Sequence, residues 1–414
     1  MVRKSYLPVR SFLAAASACL LFSCATTNLK PMGSAGEPFR LEQDEEKLWQ
    51  DSKKLEDWLD KSGFIYKDAE LENYLNEVLA KLVSQGAKSG EASPRVKVIR
   101  SLDLNAFALP HGVIYVHTGM LAHMENEDQL ATVLGHEQTH FTHRHTLRDM
   151  RKTQNTENVV FALQMLVFTA AAGAGVINTG LLDRKTGAIL TLAAVSGYSR
   201  DLEREADTVG FKLTVDAGYD PGQSVRIFEI FQHESDDAKD KQSYFFSTHP
   251  RLQERLDSSR ELTEKSKAPG PRQTSRLKDS EEFAKCTERL LIDLVGVSIE
   301  KNRLKAAQSA LQKYFRSRPE NAEAFFLQGE IYRRSGKGEP NVQLAVDAYQ
   351  KAIRIDPSYA KAHREMGLFF REQKRNEEAS AALERFLVLS PQAPDAPILR
   401  EYIKELTRSQ EGGR

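Results

Sequence analysis

Cysteine is almost missing from this 414-residue chain. Its three copies, Cys19, Cys24 and Cys286, give no disulfide framework. The length supplies ample material for two or three domains with buried cores. An excess of charge is missing too, with 58 Lys and Arg against 58 Asp and Glu. Arg3, Lys4 and Arg10 lie in residues 1–23 with no acid beside them, so without that stretch the balance becomes 55 against 58. Such a balance argues against nucleic acid as a partner. Near the N-terminus there is no run long enough to cross a bilayer: Ser11 to Phe22 is apolar but short.

A basic start followed by a short apolar core reads as a leader that is removed, residues 1–23. Leu21-Phe22-Ser23-Cys24 resembles a bacterial lipobox, although Phe22 is bulky for it. Acylation of Cys24 would hold the protein at a membrane without a spanning helix. Residues 24–40 contain Pro, Gly and Ser and read as a tether.

The chemistry is concentrated in His136-Glu137-Gln138-Thr139-His140. Two histidines four apart lie on one face of a helix, so both imidazoles reach one metal ion. Asn126-Glu127-Asp128 reads as the helix start, and Leu130, Val133 and Leu134 fall at helical spacing. Zinc suits two neutral imidazoles plus one further protein ligand and a water. Glu137, beside that water, can take its proton. The third ligand is sought in Ser199-Arg200-Asp201-Leu202-Glu203-Arg204-Glu205-Ala206-Asp207. Glu203 and Asp207 share a helix face, while Glu205 points elsewhere. Glu203 would complete a His-His-Glu set, and Asp207 could accept a hydrogen bond from the far nitrogen of one histidine.

These motifs, with Asn105-Ala106-Phe107-Ala108-Leu109-Pro110 and Gly112-Val113-Ile114-Tyr115-Val116 upstream and Thr248-His249-Pro250 downstream, resemble the BepA/HtpX-type gluzincin metallopeptidases. The resemblance covers roughly residues 40–262. It implies an edge strand at Asn105, Ala106 and Phe107 that receives the substrate as an added strand. It also places His249 near the zinc. There His249 would either fill the fourth position and gate the enzyme or, with Arg255, serve the oxyanion. Read from the residues alone, Thr248 before Pro250 is a helix-cap signal with His249 exposed.

The remaining catalytic stretch divides into elements. Residues 41–88 read as helices, with Leu48, Leu55, Trp58 and Leu59 on one face and Leu71, Tyr74, Leu75, Val78, Leu79 and Leu82 on another. Val96–Ile99 and Val113–His117 read as strands, and Pro110-His111-Gly112 as a turn. The motif helix is expected over 127–145. His143 and His145 are read as solvent-facing or as partners behind the ligands, with spare metal ligation as the other reading. Val159 to Ile177 is apolar and rich in Ala and Gly. It is either one arm of a helical hairpin, 157–172 with 186–197, covering the site, or a surface that meets a membrane or a membrane-protein client. The leader would carry the chain past the inner membrane and Ala171 to Gly175 is loose for a span, which argues against a spanning helix; of the two readings the cover is preferred. Gly218-Tyr219-Asp220-Pro221 stops one helix and starts the next.

Residues 263–280 read as a linker. Beyond them Pro319, Pro357 and Pro391 end similar segments, the last two 34 residues apart, the length of a tetratricopeptide repeat. Gly367, Phe370, Ala379, Leu383 and Pro391 follow that repeat's order. So do Gly329, Tyr332, Ala345, Tyr349, Ala352 and Pro357, with an insertion at Gly336–Pro340. Ala307, Leu311 and Pro319 fit weakly, and 395–408 reads as a capping helix. Cys286 is expected to be a buried small apolar residue.

The expected fold class is mainly α (α+β). It has a zincin-like helical metallopeptidase domain with a small β-sheet (41–262), followed by an α-solenoid of tetratricopeptide repeats (281–414). One Zn2+ per chain would be held by His136, His140 and Glu203, with Glu137, His249 and Arg255 as catalytic residues. The resemblance implies unfolded or misassembled envelope proteins as clients. It also implies the outer-membrane protein assembly machinery as a partner through the repeats, and a periplasmic place, lipid-anchored to the outer membrane. The other function class is a chaperone or adaptor whose metal site is largely self-inhibited.

Overall fold

The computed structural model describes residues 29–32, 40–85, 93–153, 198–237, 251–266, 273–336 and 339–411. The leader, Cys24, the 157–172 and 186–197 hairpin and His249 lie outside the described residues.

Helix α1, Gln43–Ser62, opens with Asp44, Glu45 and Glu46 in its first turn, where carboxylates oppose the helix dipole, and stops at Gly63 with φ 81°. Its apolar face carries Leu48, Leu55 and Leu59, as the spacing predicts. Helix α2, Ala69–Gln85, buries Leu71, Leu75, Val78, Leu79 and Leu82 against β1 and the motif helix. Strands β1 (Arg95–Ile99), β2 (Ala106–Ala108) and β3 (Val113–His117) form one sheet in the order β1-β3-β2. β1 runs parallel to β3, and β2 runs antiparallel to it with Phe107 opposite Tyr115. Gly112, at φ 98°, takes the turn between β2 and β3.

After a short α3, Thr118–His123, comes α4, Glu127–Thr142, capped by the Asn126 side chain accepting from the Gln129 N–H. The motif helix therefore ends three residues before the expected 145. Arg144 sits in the left-handed region at φ 56°, and α5, His145–Thr153, sets off in a new direction. The corner is held by a buried ion pair between Arg144 and Glu45 of α1. Helix α6, Arg200–Asp216, lies along α4, followed by α7, Pro221–Asp237, and α8, Leu252–Lys265. α4 and α6 cross glycine to glycine. A Cβ built on Gly210 would lie 2.8 Å from the Gly135 carbonyl carbon and 2.8 Å from the His136 nitrogen, so only hydrogen fits there.

The stretch 24–40 is not wholly a free tether. Met32 donates its N–H to the Thr142 carbonyl at 2.8 Å, and Leu29 and Met32 are buried. The stretch 263–280 is helical at both ends, since α8 runs to Lys265 and α9, Gln273–Glu300, begins at Gln273. α9 pairs with α10 (Leu304–Ser317), α11 (Ala322–Ser335) with α12 (Glu339–Ile355), and α13 (Ala360–Glu372) with α14 (Asn376–Leu389). α15, Ala396–Glu411, packs on the last pair. Gly329 faces the Tyr349 ring and Gly367 the Leu383 side chain, which is why these repeat positions are small. Ala345, Tyr349, Ala352, Ala379 and Leu383 are all buried.

The first helical pair packs on the N-terminal half. Phe283, Leu290, Leu291 and Val295 share one core with Leu75, Leu79, Met120 and Leu121. Tyr66 Oη donates to Asp293 at 2.9 Å. Lys313 Nζ donates to the Ala122 carbonyl at 2.8 Å and to that of Met124. Cys286 is buried in this core, and burial pushes its thiol up to about 11. Among the described residues no helix is long and apolar enough to cross a membrane.

Candidate metal centre

The rows of α4 and α6 that meet beside the glycine crossing bring together the residues picked out by their spacing. His136 Nε2 and His140 Nε2 are 2.9 Å apart. The Glu203 carboxylate faces them at 3.6 Å from His136 Nε2 and 3.5 Å from His140 Nε2, and all three side chains are buried. Ligand atoms of a four-coordinate zinc, each about 2.0–2.2 Å from the ion, lie about 3.3 Å from one another. Two imidazoles and one carboxylate at these separations are the donor set such an ion requires.

The outward nitrogens of both imidazoles are engaged, which turns their Nε2 lone pairs inward. His136 Nδ1 lies 3.0 Å from Asp207 Oδ1. Asp207 also accepts from Arg255, at 2.7 Å from Nη2 and 3.1 Å from Nε. Burial by itself would push the Asp207 carboxyl up. The Arg255 charge and the His136 bond outweigh it and hold the group below its ordinary range. The Arg255 guanidinium, buried against the Phe228 ring, also stands 3.6 Å from Glu203 Oε2. Expected at the oxyanion or a gate, Arg255 has Asp207 as its partner in this structure. His140 Nδ1 lies 2.9 Å from His145 Nδ1, and the Tyr198 ring stacks on His140 at 3.9 Å and 16°.

Glu137 is 1% exposed and, with His136, Asp207 and Arg255, lines a cavity of about 30 Å³ whose apolar wall includes Val133, Phe228 and Phe231. That volume holds a water molecule. Asn105, Ala106 and Phe107 are buried where β2 meets α4. The Phe107 side chain goes into a separate core with Leu55, Leu59 and Tyr115. His117 N–H bonds the Asn105 carbonyl at 3.0 Å and Leu109 N–H the Val113 carbonyl at 2.7 Å. The alternation then turns the peptide groups of Ala106 and Ala108 away from β3, toward the outer edge.

His145 and Glu205 resolve a further reading. His145 is buried behind His140, whereas His143 is half-buried with its Nε2 4.0 Å from Glu205. Glu205 points away from the Glu203 face, to within 3.6 Å of His145 Nε2 and 2.8 Å of Arg148. The nearby His145 and the bond to Arg148 hold it down at about 2. Tyr198 carried no signal in the sequence; only its place before Ser199-Arg200 marks it.

Comparison with known proteins adds the decisive observation: the model of peptidase family M48 matches residues 69–263, the stretch that contains every one of these side chains. Residues 69–263 are thus similar to peptidase family M48. The tetratricopeptide repeat model matches residues 299–360 and 340–394. The mitochondrial metalloendopeptidase OMA1 of Arabidopsis thaliana is 34% identical over 155 residues, 37% of this chain and 28% of that protein. A putative beta-barrel assembly-enhancing protease of Vibrio cholerae is 28% identical over 202 residues, 48% of this chain and 40% of that protein. The chain thus spans less than half the length of either relative. A crystal structure of MamA aligns with 33% of this chain and 81% of its own at 18% identity and a TM-score of 0.25, too low to bear on fold or function. The M48 match agrees with the donor set; no ion is part of the structure.

Proposed function

We propose that the chain is a zinc-dependent endopeptidase of the bacterial cell envelope that degrades misfolded or stalled outer-membrane proteins, with the repeats engaging clients or partners. The observation that carries the reading is the meeting of His136, His140 and Glu203 from α4 and α6, with Glu137 next to His136. These three residues would hold zinc, which when bound supplies Lewis acidity toward water and the scissile carbonyl. Glu137 accepts the proton of the attacking water at its carboxylate and passes it to the leaving amine nitrogen. Asp207 takes the Nδ1–H of His136 and so fixes the tautomer of that imidazole. Arg255, charged and buried beside it, keeps Asp207 ionised. His249 stays with the role its motif suggested, at the oxyanion or as a gate.

The outer edge of β2 is read as the place where an extended client adds its backbone, which gives broad sequence tolerance. Similarity to a putative beta-barrel assembly-enhancing protease supports clients from β-barrel assembly. The repeats support a partner-binding face. Acylation at Cys24 would keep the enzyme in the periplasm at the outer membrane. The test is casein cleavage by wild type and by Glu137→Gln. The variant is expected to keep its zinc and lose proteolysis. Cleavage retained by Glu137→Gln would remove Glu137 from the reaction.

A further inference from the structure

We infer that His145 is a positioning residue for the metal centre, fixing the tautomer and orientation of His140 through a chain that ends on Glu205 and Arg148. The inference rests on the zinc reading above and names a residue that this reading does not use.

A histidine that offers Nε2 to a metal carries its proton on Nδ1. The Nδ1 of His140 lies 2.9 Å from the Nδ1 of His145. Two ring nitrogens at that distance share one proton. If His140 Nε2 faces His136 and Glu203, His140 must be the donor and His145 the acceptor. The proton of neutral His145 then sits on Nε2, on the side of Glu205, whose Oε2 is 3.6 Å away, an electrostatic contact longer than a hydrogen bond. Glu205 is anchored by Arg148 Nη1 at 2.8 Å. The two ring planes are twisted by 81° with their centroids 4.9 Å apart, so the two nitrogens point at each other, as an in-plane N–H···N bond needs.

Every part of this arrangement is built into the fold. His145 has 0% exposure. It reaches His140 because the chain turns at Arg144 with φ 56°; in a continued helix, residue 145 would lie five positions on, off the face of 140. Tyr198, 3.9 Å from His140 on its face, limits rotation of that ring and is itself tied to Thr146 Oγ1 at 3.0 Å. Asp207 serves His136 and His145 serves His140, one partner for each imidazole. The first comes from α6 and the second from α5.

The test compares His145→Phe, His145→Asn and Glu205→Gln with wild type. Zinc dissociation constants are read by competition with a chromogenic chelator, and the metal-free forms are followed by thermal unfolding. Loss of an outer partner of a ligand histidine weakens metal binding about 10–100-fold. His145→Phe, which keeps the bulk and removes the acceptor, is expected to show that loss. His145→Asn places an acceptor oxygen near the old Nδ1 and is expected to recover most of it. Glu205→Gln, on a partly exposed side chain, is expected to weaken zinc to a smaller degree while leaving the metal-free melt in place. A wild-type zinc constant in both His145→Phe and Glu205→Gln overturns the inference. Equal losses in His145→Phe and His145→Asn, matched by equal drops in metal-free melting, also overturn it, because His145 would then be packing alone. If His145→Phe does not fold, His145→Asn and Glu205→Gln decide the question. Failure of the wild-type chain to bind zinc would overturn the proposed function itself, a separate result.

Discussion

Substituting Gly210 by alanine tests whether the closeness of α4 and α6 makes the metal centre. The added Cβ would stand 2.8 Å from two backbone atoms, the Gly135 carbon and the His136 nitrogen, where ordinary contact begins at 3.4 Å. Neither atom can rotate away, so α6 has to retreat by about 0.6 Å, several times the ~0.2 Å within which metal–ligand distances are held. Glu203 is two helical turns from Gly210 on the same rigid element, about 10 Å along the axis, and moves with it. Overpacking of this kind costs about 1–3 kcal/mol. Alanine returns about 1 kcal/mol of helix propensity, so the metal-free fold should lose no more than about 2 kcal/mol. Zinc binding should lose at least about 1.4 kcal/mol, or tenfold. The assay is chelator competition with a parallel thermal melt. Gly296→Ala, on α9 with open space around it, is the control; it should raise the melt slightly and leave zinc alone. A wild-type zinc constant in Gly210→Ala would refute the argument that this crossing sets the ligand geometry.

Two other perturbations separate charge from packing. Asp207→Asn removes the nearer of two carboxylates beside the buried Arg255, leaving Glu203 at 3.6 Å, and should cost at most about 3–5 kcal/mol in denaturant unfolding of the metal-free protein. Zinc affinity should fall about 10–100-fold in the same variant. Lys313 is pushed down by burial from its ordinary 10.5 to about 7, with Glu125 raising it and Arg316 lowering it. Between those two values the unfolded chain binds the proton that the folded one has released. Wild-type stability should therefore rise with pH from about 7 toward 10, by at most about 1.4 kcal/mol per pH unit from this group, and lose that contribution on acidification toward 7. Lys313→Met should remove this contribution, measured as the urea midpoint across the same pH series.

The spacing of His136 and His140 needed only the helical period to be read, and the structure places both on the predicted face. Glu203 and Asp207 were legible as a pair for the same reason. Their distance from the histidines depends on the Gly135–Gly210 crossing, which a single sequence does not signal. The corner at Arg144 was hidden because no Gly or Pro marks it. What holds it is Glu45, 99 residues earlier, and long-range ion pairs leave no local pattern. His145 stayed between two readings because its direction depends on that corner. Leu29 and Met32 were absorbed into a tether read from its Pro, Gly and Ser residues, although both are apolar and buried. Residues 273–280 looked like linker because Pro269-Gly270-Pro271 dominates the stretch, yet Gln273 to Ser280 is helical.

Helix α9 serves two masters, and this limits where the chain can be cut. One flank closes the first helical pair; the other seals the floor beneath the candidate metal centre's domain with Phe283, Leu290 and Leu291. A scissor placed at the apparent joint would strip that floor and bare the undersides of α2 and α3. A shorter piece made for screening inhibitors should therefore run on through Ser317, keeping Lys313 against Ala122 and Met124.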